Sequence, residues 1–259
     1  MQKKVIIVIP AYKAADTLPS VFKRLEKTDK NFDEIIIVDD GSLDDTFKVS
    51  KNLGAAYTKR RGKRVVVLQH SPNRGYGGSQ KTLYSETLKR GGDIAVLVHA
   101  DGQYPPEELH KMLQPLLQGK ADVVLGSRAL GGTMIHGGMP LFKYLGNRFL
   151  TRFENLIVGM KPPISEYHTG YRAFSRKALQ QTRFHLNSEK YVFDSEMLIQ
   201  AYEKGLRIVE VPIPTYYGEE ISYLNPAKYG LRILKVLVKY VLHKINFRPT
   251  LQYGNNDSE

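Results

Sequence analysis

The 259-residue sequence contains no cysteine. That excludes disulfides, thiolate metal sites and cysteine nucleophiles. No apolar run approaches the eighteen or so residues of a membrane-spanning helix. At the start, MQKKVIIVIPAYK, two lysines precede an apolar run, but the run is five residues long before Pro10 and no small-residue cleavage site follows. It reads as a first strand rather than a leader. Internal repeats and low-complexity linkers are absent as well. Acidic residues are in deficit, with 26 Asp and Glu against 38 Lys and Arg, a net charge of +12. Such a balance attracts nucleic acid, anionic membrane or phosphorylated small molecules, without choosing among them. No nucleic-acid reader motif is present, so specific nucleic-acid binding is not expected.

What is present is an alternating rhythm. Short β-branched runs at Val5–Ile9, Glu34–Val38, Arg64–Leu68, Ile94–Val98 and Val123–Leu125 read as strands covered on both faces. Helix patterns lie between them near 16–28, 44–54, 77–90 and 106–118, with Asp16 and Asp44 as N-caps and Gly54, Gly91 and Gly119 as stops. The alternation predicts a mostly parallel, Rossmann-like α/β sheet flanked by helices. Further on, glycine-rich 128–141 reads as a mobile loop, 142–159 and 193–204 as helices, and Gly170–Phe174 and Arg207–Pro214 as strands. A last helix over Pro226–Lys244 precedes a tail expected to be disordered. The expected organisation is a domain over 1–216, an amphipathic helical extension over 217–246 and a flexible tail over 247–259.

Acidic residues collect where strands end, at Val38-Asp39-Asp40-Gly41-Ser42 and at His99-Ala100-Asp101-Gly102-Gln103. In open α/β sheets the ligand crevice lies outside these carboxyl ends. Asp39-Asp40-Gly41-Ser42 also fits a turn leading into a helix cap. If strand geometry persists past Val98, His99, Asp101 and Gln103 point the same way and offer an imidazole, a carboxylate and an amide oxygen to one hard cation. A plain polar loop is the other reading. The run Gly75-Tyr76-Gly77-Gly78 precedes a helix, where glycines let backbone amides approach an anion. It matches neither the dinucleotide fingerprint nor a Walker loop.

In order along the chain stand Ile9-Pro10-Ala11-Tyr12, Val38-Asp39-Asp40-Gly41-Ser42, Gly75-Tyr76-Gly77-Gly78, Ala100-Asp101-Gly102-Gln103, Gly126-Ser127-Arg128, His168-Thr169-Gly170-Tyr171-Arg172 and Phe193-Asp194-Ser195-Glu196. Together, over roughly residues 4–216, they resemble the family 2 glycosyltransferases, and within them the polyprenyl-phosphate (dolichyl-phosphate mannose synthase-like) branch. The resemblance implies a GT-A fold, a nucleotide-diphosphate sugar donor, Mg or Mn, and inversion at the anomeric carbon. It places Pro10, Ala11, Tyr12, Asp39, Asp40, Ser42, Gly75, Gly78 and Arg128 around the donor. It places Asp101 and Gln103 at the metal, and Glu166, Asp194 and Glu196 at the acceptor end as candidate bases. Three departures stand out. His99 replaces the usual first aspartate of the metal motif, Lys13-Ala14 replaces the usual Asn-Glu, and Glu166 replaces an aspartate. A phosphate acceptor, already anionic, needs little or no base. Glu166 also fits an ion pair with Arg172 or another cation. His168 and His136 could contact phosphate or simply pack.

In the last helix Lys228, Arg232, Lys235, Lys239 and His243 form one stripe, while Leu231, Leu234, Leu237, Val238, Val241 and Ile245 fall on a broad opposite arc. Either that arc packs on the sheet, or the helix lies on an anionic membrane with its lysines over lipid phosphates. The multi-helix anchor of some family members is not seen, so attachment would be peripheral. A lipid-phosphate acceptor would then be met from the cytoplasm, at the inner membrane face. Two alternatives compete with this reading. A sugar-phosphate nucleotidyltransferase would carry a basic glycine-rich loop after the first strand, which Pro10-Ala11-Tyr12-Lys13 does not provide. A catalytically degenerate glycosyltransferase is suggested by His99.

Overall fold

The computed structural model describes residues 3–216 and 225–254. Among the described residues, seven strands form one sheet in the order β3-β2-β1-β4-β6-β5-β7. They are β1 (Val5–Ala11), β2 (Glu34–Asp39), β3 (Arg64–Gln69), β4 (Ile94–Leu97), β5 (Val123–Ser127), β6 (Arg172–Ser175) and β7 (Ile208–Pro212). All neighbouring pairs are parallel except those made by β6, which runs antiparallel between β4 and β5. The strand order reverses beside β1. A crevice therefore opens where β1 and β4 end.

The inner strands bury both faces because successive side chains alternate across the sheet; the edge strands do not, and β3, expected to be covered on both faces, stays partly exposed along its length, as does β7. Ile6, Val8, Ile36, Val38 and Leu97 point into one core, which α3 (Gly75–Lys89) and α7 (Phe193–Glu203) help to close. Ile7, Ile9, Ile35, Ile37 and Val96 point into the other, under α1 (Leu18–Leu25) and α4 (Leu109–Leu117). Helix α1 buries Leu18, Val21, Phe22 and Leu25, and α4 buries Leu109, Met112, Leu113 and Leu116, each at the spacing of one helical face.

Several boundaries differ from expectation. Helix α2 (Thr46–Arg61) runs through Gly54 and stops at Gly62, whose φ is +68°. Gly54 is there for packing, since a Cβ would lie 2.9 Å from Val65 Cγ1 on β3. Thr17 and Asp45 stand at the N-cap positions of α1 and α2 without side-chain capping bonds, so Asp16 does not cap α1, whereas Asp44 Oδ1 does accept from the Thr46 amide that opens α2, at 3.1 Å. Gly91 and Gly119 do follow helix ends, both at positive φ. The glycine-rich stretch after β5 is tied down by a Thr133–Thr215 hydroxyl contact of 3.1 Å, with Met134 and Met139 buried.

Short α6 (Arg176–Gln181) follows β6; helix α5 (Leu141–Val158) and the last helix, α8 (Pro226–Lys244), pack on one another, and α8 also packs on α7. Helix α8 shares the main core through Ile233, Val236, Leu237 and Tyr240. Of the expected apolar arc only Leu237 is buried, while Leu231, Leu234, Val238, Val241 and Ile245 are exposed. The helix rests on other helices, so the angle it buries differs from the one a sheet would take. The expected flexible tail folds back over its first part. Gln252 and Tyr253 are buried, and Gln252 Nε2 donates to Asn187 Oδ1 at 2.7 Å. Residues 217–224 of the extension and 255–259 of the tail lie outside the described residues. Among the described residues, no helix is long and apolar enough to cross a membrane.

Candidate active site

Register brings the two acidic strand ends together. Ala11 at the end of β1 faces Asp39 at the end of β2, and Pro10 faces Val38. Tyr12 is partly exposed just beyond them, with the Lys13 ammonium 5.5 Å from its ring centre. Asp39 is fully buried and accepts from the Ser42 amide at 3.2 Å and from Gln69 Nε2 at 3.0 Å. Ser42 Oγ accepts from the Lys13 amide at 2.9 Å, which locks the β1 and β2 loops to each other.

Asp40 turns to the start of α3. Its Oδ1 meets His70 Nδ1 at 2.7 Å and the Arg74 amide at 2.9 Å, and its Oδ2 accepts from the Gly75 amide at 2.7 Å. Two amides of the glycine run are thus not left for an anion. Gly75 gives its N–H to Asp40, and Gly77 gives its own to Glu189 O at 3.0 Å. Glycine is needed here for close approach. A Cβ on Gly75 would lie 2.5 Å from Glu189 O, one on Gly77 2.3 Å from Ser188 O, and one on Gly78 2.6 Å from Arg74 Cβ.

The segment after β4 turns instead of extending. The Gly102 amide donates to His99 O at 3.3 Å, Gly102 has φ +74°, and Asp101 Oδ1 accepts from the Gln103 amide at 3.0 Å. His99, Asp101 and Gln103 therefore do not alternate along one strand edge. Among the described residues, no three His, Asp or Glu side chains gather as a metal-holding group. Asp101 Oδ2 accepts no hydrogen bond from them, which leaves one carboxylate oxygen beside the crevice. A single carboxylate together with substrate phosphate oxygens suits a hard divalent cation.

His99 belongs to an aromatic wall. Its ring lies edge-on to Tyr104 at 4.9 Å and is tilted against Tyr76 at 5.7 Å, and a Cβ on Gly170 would lie 2.6 Å from it. The Tyr76 hydroxyl donates to Asp194 Oδ2 at 3.0 Å and sits 3.3 Å from His99 Nε2. Burial, reinforced by the Asp194 charge, holds the Tyr76 phenol well above its ordinary pKa, so its proton stays in place. With that one proton given to Asp194, the second contact requires a proton on His99 Nε2. Gln80, one helical turn after Tyr76, donates to the other Asp194 oxygen at 3.0 Å.

The three candidate bases have three different environments. Glu166 is fully buried against Arg128, which donates through its backbone amide at 2.8 Å, through Nε at 2.9 Å and through Nη2. Ala129 N at 3.3 Å and Asn147 Nδ2 at 3.1 Å complete the cage. Burial alone would raise the Glu166 pKa; the Arg128 charge and these donors outweigh it and hold the carboxyl below its ordinary value. The cation that pairs with Glu166 is thus Arg128, not Arg172. Asp194, in the first turn of α7, has both oxygens engaged as above. Arg172 Nη1 donates to its backbone carbonyl at 2.8 Å. Glu196, two residues on, points about 200° away around the helix. It accepts from the Ser188 amide at 2.6 Å and neighbours Gln252 and Lys239, away from Asp194. Burial raises its pKa despite these partners.

His168 is also committed, with Nδ1 2.8 Å from the Tyr229 hydroxyl of α8 and Nε2 3.0 Å from buried Glu154 of α5, the latter without hydrogen-bond alignment. His136 is exposed and borders a cavity of about 350 Å³ with Tyr144 and Arg148. Sequence reasoning assigned no role to Tyr76, Gln80, Glu154 or Tyr229. The i, i+4 spacing of Tyr76 and Gln80 and the single acid in an otherwise basic and apolar α5 were the available signals.

Residues 6–183 match the family described as Glycosyl transferase family 2. The chain belongs to that family. The transferase is 35% identical over 224 residues to UDP-N-acetylglucosamine--dolichyl-phosphate N-acetylglucosaminyltransferase of Methanococcus voltae, covering 84% of this chain and 87% of the relative. It is 28% identical over 221 residues to polyprenol monophosphomannose synthase of Mycolicibacterium smegmatis, covering 85% and 80% respectively. Its fold matches mannosyl-3-phosphoglycerate synthase of Rubrobacter xylanophilus with a TM-score of 0.69 at 17% identity, over 98% of this chain and 78% of the other. It also matches glucosyl-3-phosphoglycerate synthase of Mycobacterium tuberculosis, in complex with Mn²⁺, UDP and phosphoglyceric acid, with a TM-score of 0.64 at 20% identity, over 99% and 80%. The transferase thus has a GT-A-like fold and lies close to the polyprenol and dolichyl-phosphate sugar transferases. Family membership removes the nucleotidyltransferase reading.

Proposed function

We propose that this chain transfers a hexose from a nucleotide-diphosphate sugar to a polyprenyl phosphate, with inversion at the anomeric carbon, at the cytoplasmic face of a membrane. The observation that carries the acceptor class is the state of the candidate bases. Glu166 is caged and held ionised by Arg128, Asp194 already accepts from Tyr76 and Gln80, and Glu196 points elsewhere. A hydroxyl acceptor needs a base within reach of its proton. A phosphate acceptor arrives deprotonated, so this arrangement suits it. The Methanococcus voltae and Mycolicibacterium smegmatis relatives, named for a dolichyl phosphate and a polyprenol product, support the same class.

In this reading Pro10, Ala11, Tyr12 and Asp39 surround the nucleoside, while Asp40 and Ser42 hold the loops that shape its pocket. Asp101, with Gln103 beside it, would hold Mg²⁺ or Mn²⁺ against the donor's diphosphate. The cation, when bound, supplies charge neutralisation for the leaving group. His99, held by Tyr76, Tyr104 and the bare Gly170, forms the wall next to it. An acceptor phosphate oxygen attacks the anomeric carbon from the face opposite the diphosphate. The carbon–oxygen bond to the diphosphate breaks, and its electron pair leaves with the nucleoside diphosphate. Arg128 and Glu166 act as a pair that fixes the end of β5.

The test is to offer labelled UDP-glucose, UDP-N-acetylglucosamine and GDP-mannose with a polyprenyl phosphate and Mn²⁺. Metal-dependent movement of label from one donor into the organic phase is expected. Donor hydrolysis without lipid label, or no turnover of any donor, would contradict the reading.

A further inference from the structure

Among the described residues, two that are not glycine have positive φ, Lys13 at +49° and Asn246 at +57°. Asn246 stands one place beyond Ile245, which caps α8, where a left-handed residue closes a helix. Lys13 closes none. It lies between β1 and α1 at the crevice, in a backbone region that asparagine tolerates better than lysine. Strain of this kind persists only where the surroundings impose it, and it gathers at ligand sites. Here they do impose it. The Asp40 amide donates to Ala11 O at 2.8 Å, the Lys13 amide to Ser42 Oγ at 2.9 Å, and the Ala14 amide to buried Thr46 Oγ1 at 2.8 Å.

What the strained residue carries is an ammonium. The Lys13 side chain is exposed and stands beside the Tyr12 ring, and among the described residues it meets no carboxylate within ion-pair distance. Asp39 below it is fully buried, with its oxygens engaged by Ser42 and Gln69. Lys13 is therefore a charge that this corner of the crevice can still offer. Its place in the sheet decides which part of a donor it meets. The order runs β2-β1-β4, and Lys13 is tied to Ser42 on the β2 side, whereas Asp101 follows β4 on the other side of β1. Two strand spacings, about 10 Å, separate those sides. With the diphosphate held near Asp101, Lys13 stands at the nucleoside end. Tyr12 offers a ring on which a base can stack. An ammonium beside that ring can only donate, so it suits an exocyclic carbonyl oxygen on the base and opposes an exocyclic amine.

We propose that Lys13 is a specificity residue for the donor, whose ammonium, aimed by the left-handed backbone, takes the exocyclic carbonyl oxygen of a uracil or guanine base. Cytosine and adenine place an amine there instead. The inference rests on the reading that puts the nucleoside at the end of β1. It gives Lys13, which stands where the family resemblance expects asparagine, a reason to bear a backbone that asparagine holds more easily.

The full chain and three variants are titrated by calorimetry in Mn²⁺ with UDP and its amine counterpart CDP, and with GDP and its counterpart ADP. Each protein is also unfolded in urea. Lys13→Met keeps the strain and removes the ammonium, Lys13→Gly removes both, and Lys13→Arg keeps a charged donor. For whichever of UDP and GDP the parent binds, Lys13→Met and Lys13→Gly should each weaken binding about tenfold, the worth of one hydrogen bond to a charged group. Lys13→Arg should stay within about threefold of the parent, and the amine counterpart should bind all four proteins alike to within the same factor. Lys13→Gly should also raise the urea midpoint, whereas Lys13→Met should not. Unchanged UDP or GDP binding by Lys13→Met would overturn the assignment. An equal loss for the amine counterpart, the mark of a phosphate contact, would overturn it too. A parent that binds neither UDP nor GDP would instead remove the nucleotide-donor reading itself, and the assignment with it.

Discussion

Arg128 and Glu166 are 38 positions apart and form one buried unit, in which the arginine's backbone amide and guanidinium both donate to the same carboxylate. The pair ties the end of β5 to the loop that enters β6, and that loop carries His168 and Gly170. It organises the crevice between two strands that run in opposite directions.

Breaking this pair from either side strands a buried charge. Arg128→Ala or Glu166→Gln should lower unfolding free energy by about 3–5 kcal/mol, measured in urea. A loss below about 1 kcal/mol would mean that the pair is not held as described.

The two perturbed glutamates act oppositely with pH. Glu166 has a folded pKa below its ordinary value. Its contribution is therefore present above the unfolded pKa of about 4.3 and is lost as pH falls through the lower folded value. Glu196 has a raised folded pKa. Its favourable contribution is present below the same unfolded value and disappears as pH rises through the folded one. Glu196→Gln should therefore be neutral or stabilising at pH 7 and lose that advantage near pH 4. A Glu196→Gln variant that is less stable at pH 7 than at pH 4, relative to the parent, would refute the sign.

Asp194 holds Tyr76, and Tyr76 meets His99. If Asp194 positions rather than deprotonates, Asp194→Asn and Tyr76→Phe should each reduce kcat by less than about tenfold and leave the pH–rate profile in place. Loss of a general base would cost about 10²–10⁴-fold and remove a limb of that profile.

Among the described residues, Asp101 Oδ2 accepts no hydrogen bond, while Oδ1 accepts from the Gln103 amide. Asp101→Ala should weaken donor binding at least about tenfold in Mn²⁺ and leave the residual binding in EDTA unchanged, read by calorimetry. Full affinity in Mn²⁺ would take Asp101 out of the cation's shell.

The parallel half of the sheet was legible because strands buried on both faces must be almost wholly apolar, as β1, β2 and β4 are. The antiparallel run of β6 was not, since an apolar strand carries no mark of its direction. Gly54 misled because glycine marks both helix ends and close packing. The acidic strand ends pointed to the crevice, but the turn at Gly102 broke the alternation expected of His99, Asp101 and Gln103. The partners of Asp40 and Glu166 arrive from distant segments, so no local pattern could distinguish a caged carboxylate from an available one. In α8 the periodicity was plain, but which stripe faced inward depended on packing against α5 and α7.

In the proposed reaction the acceptor brings its own negative charge. The most direct measurement compares initial rates of sugar transfer to a polyprenyl phosphate and to the corresponding free polyprenol, with the same chain length, donor and Mn²⁺. Transfer to the phosphate alone is expected. Equal or faster transfer to the alcohol would contradict the account, because a working base would then have to be present among the carboxylates assigned here to structure.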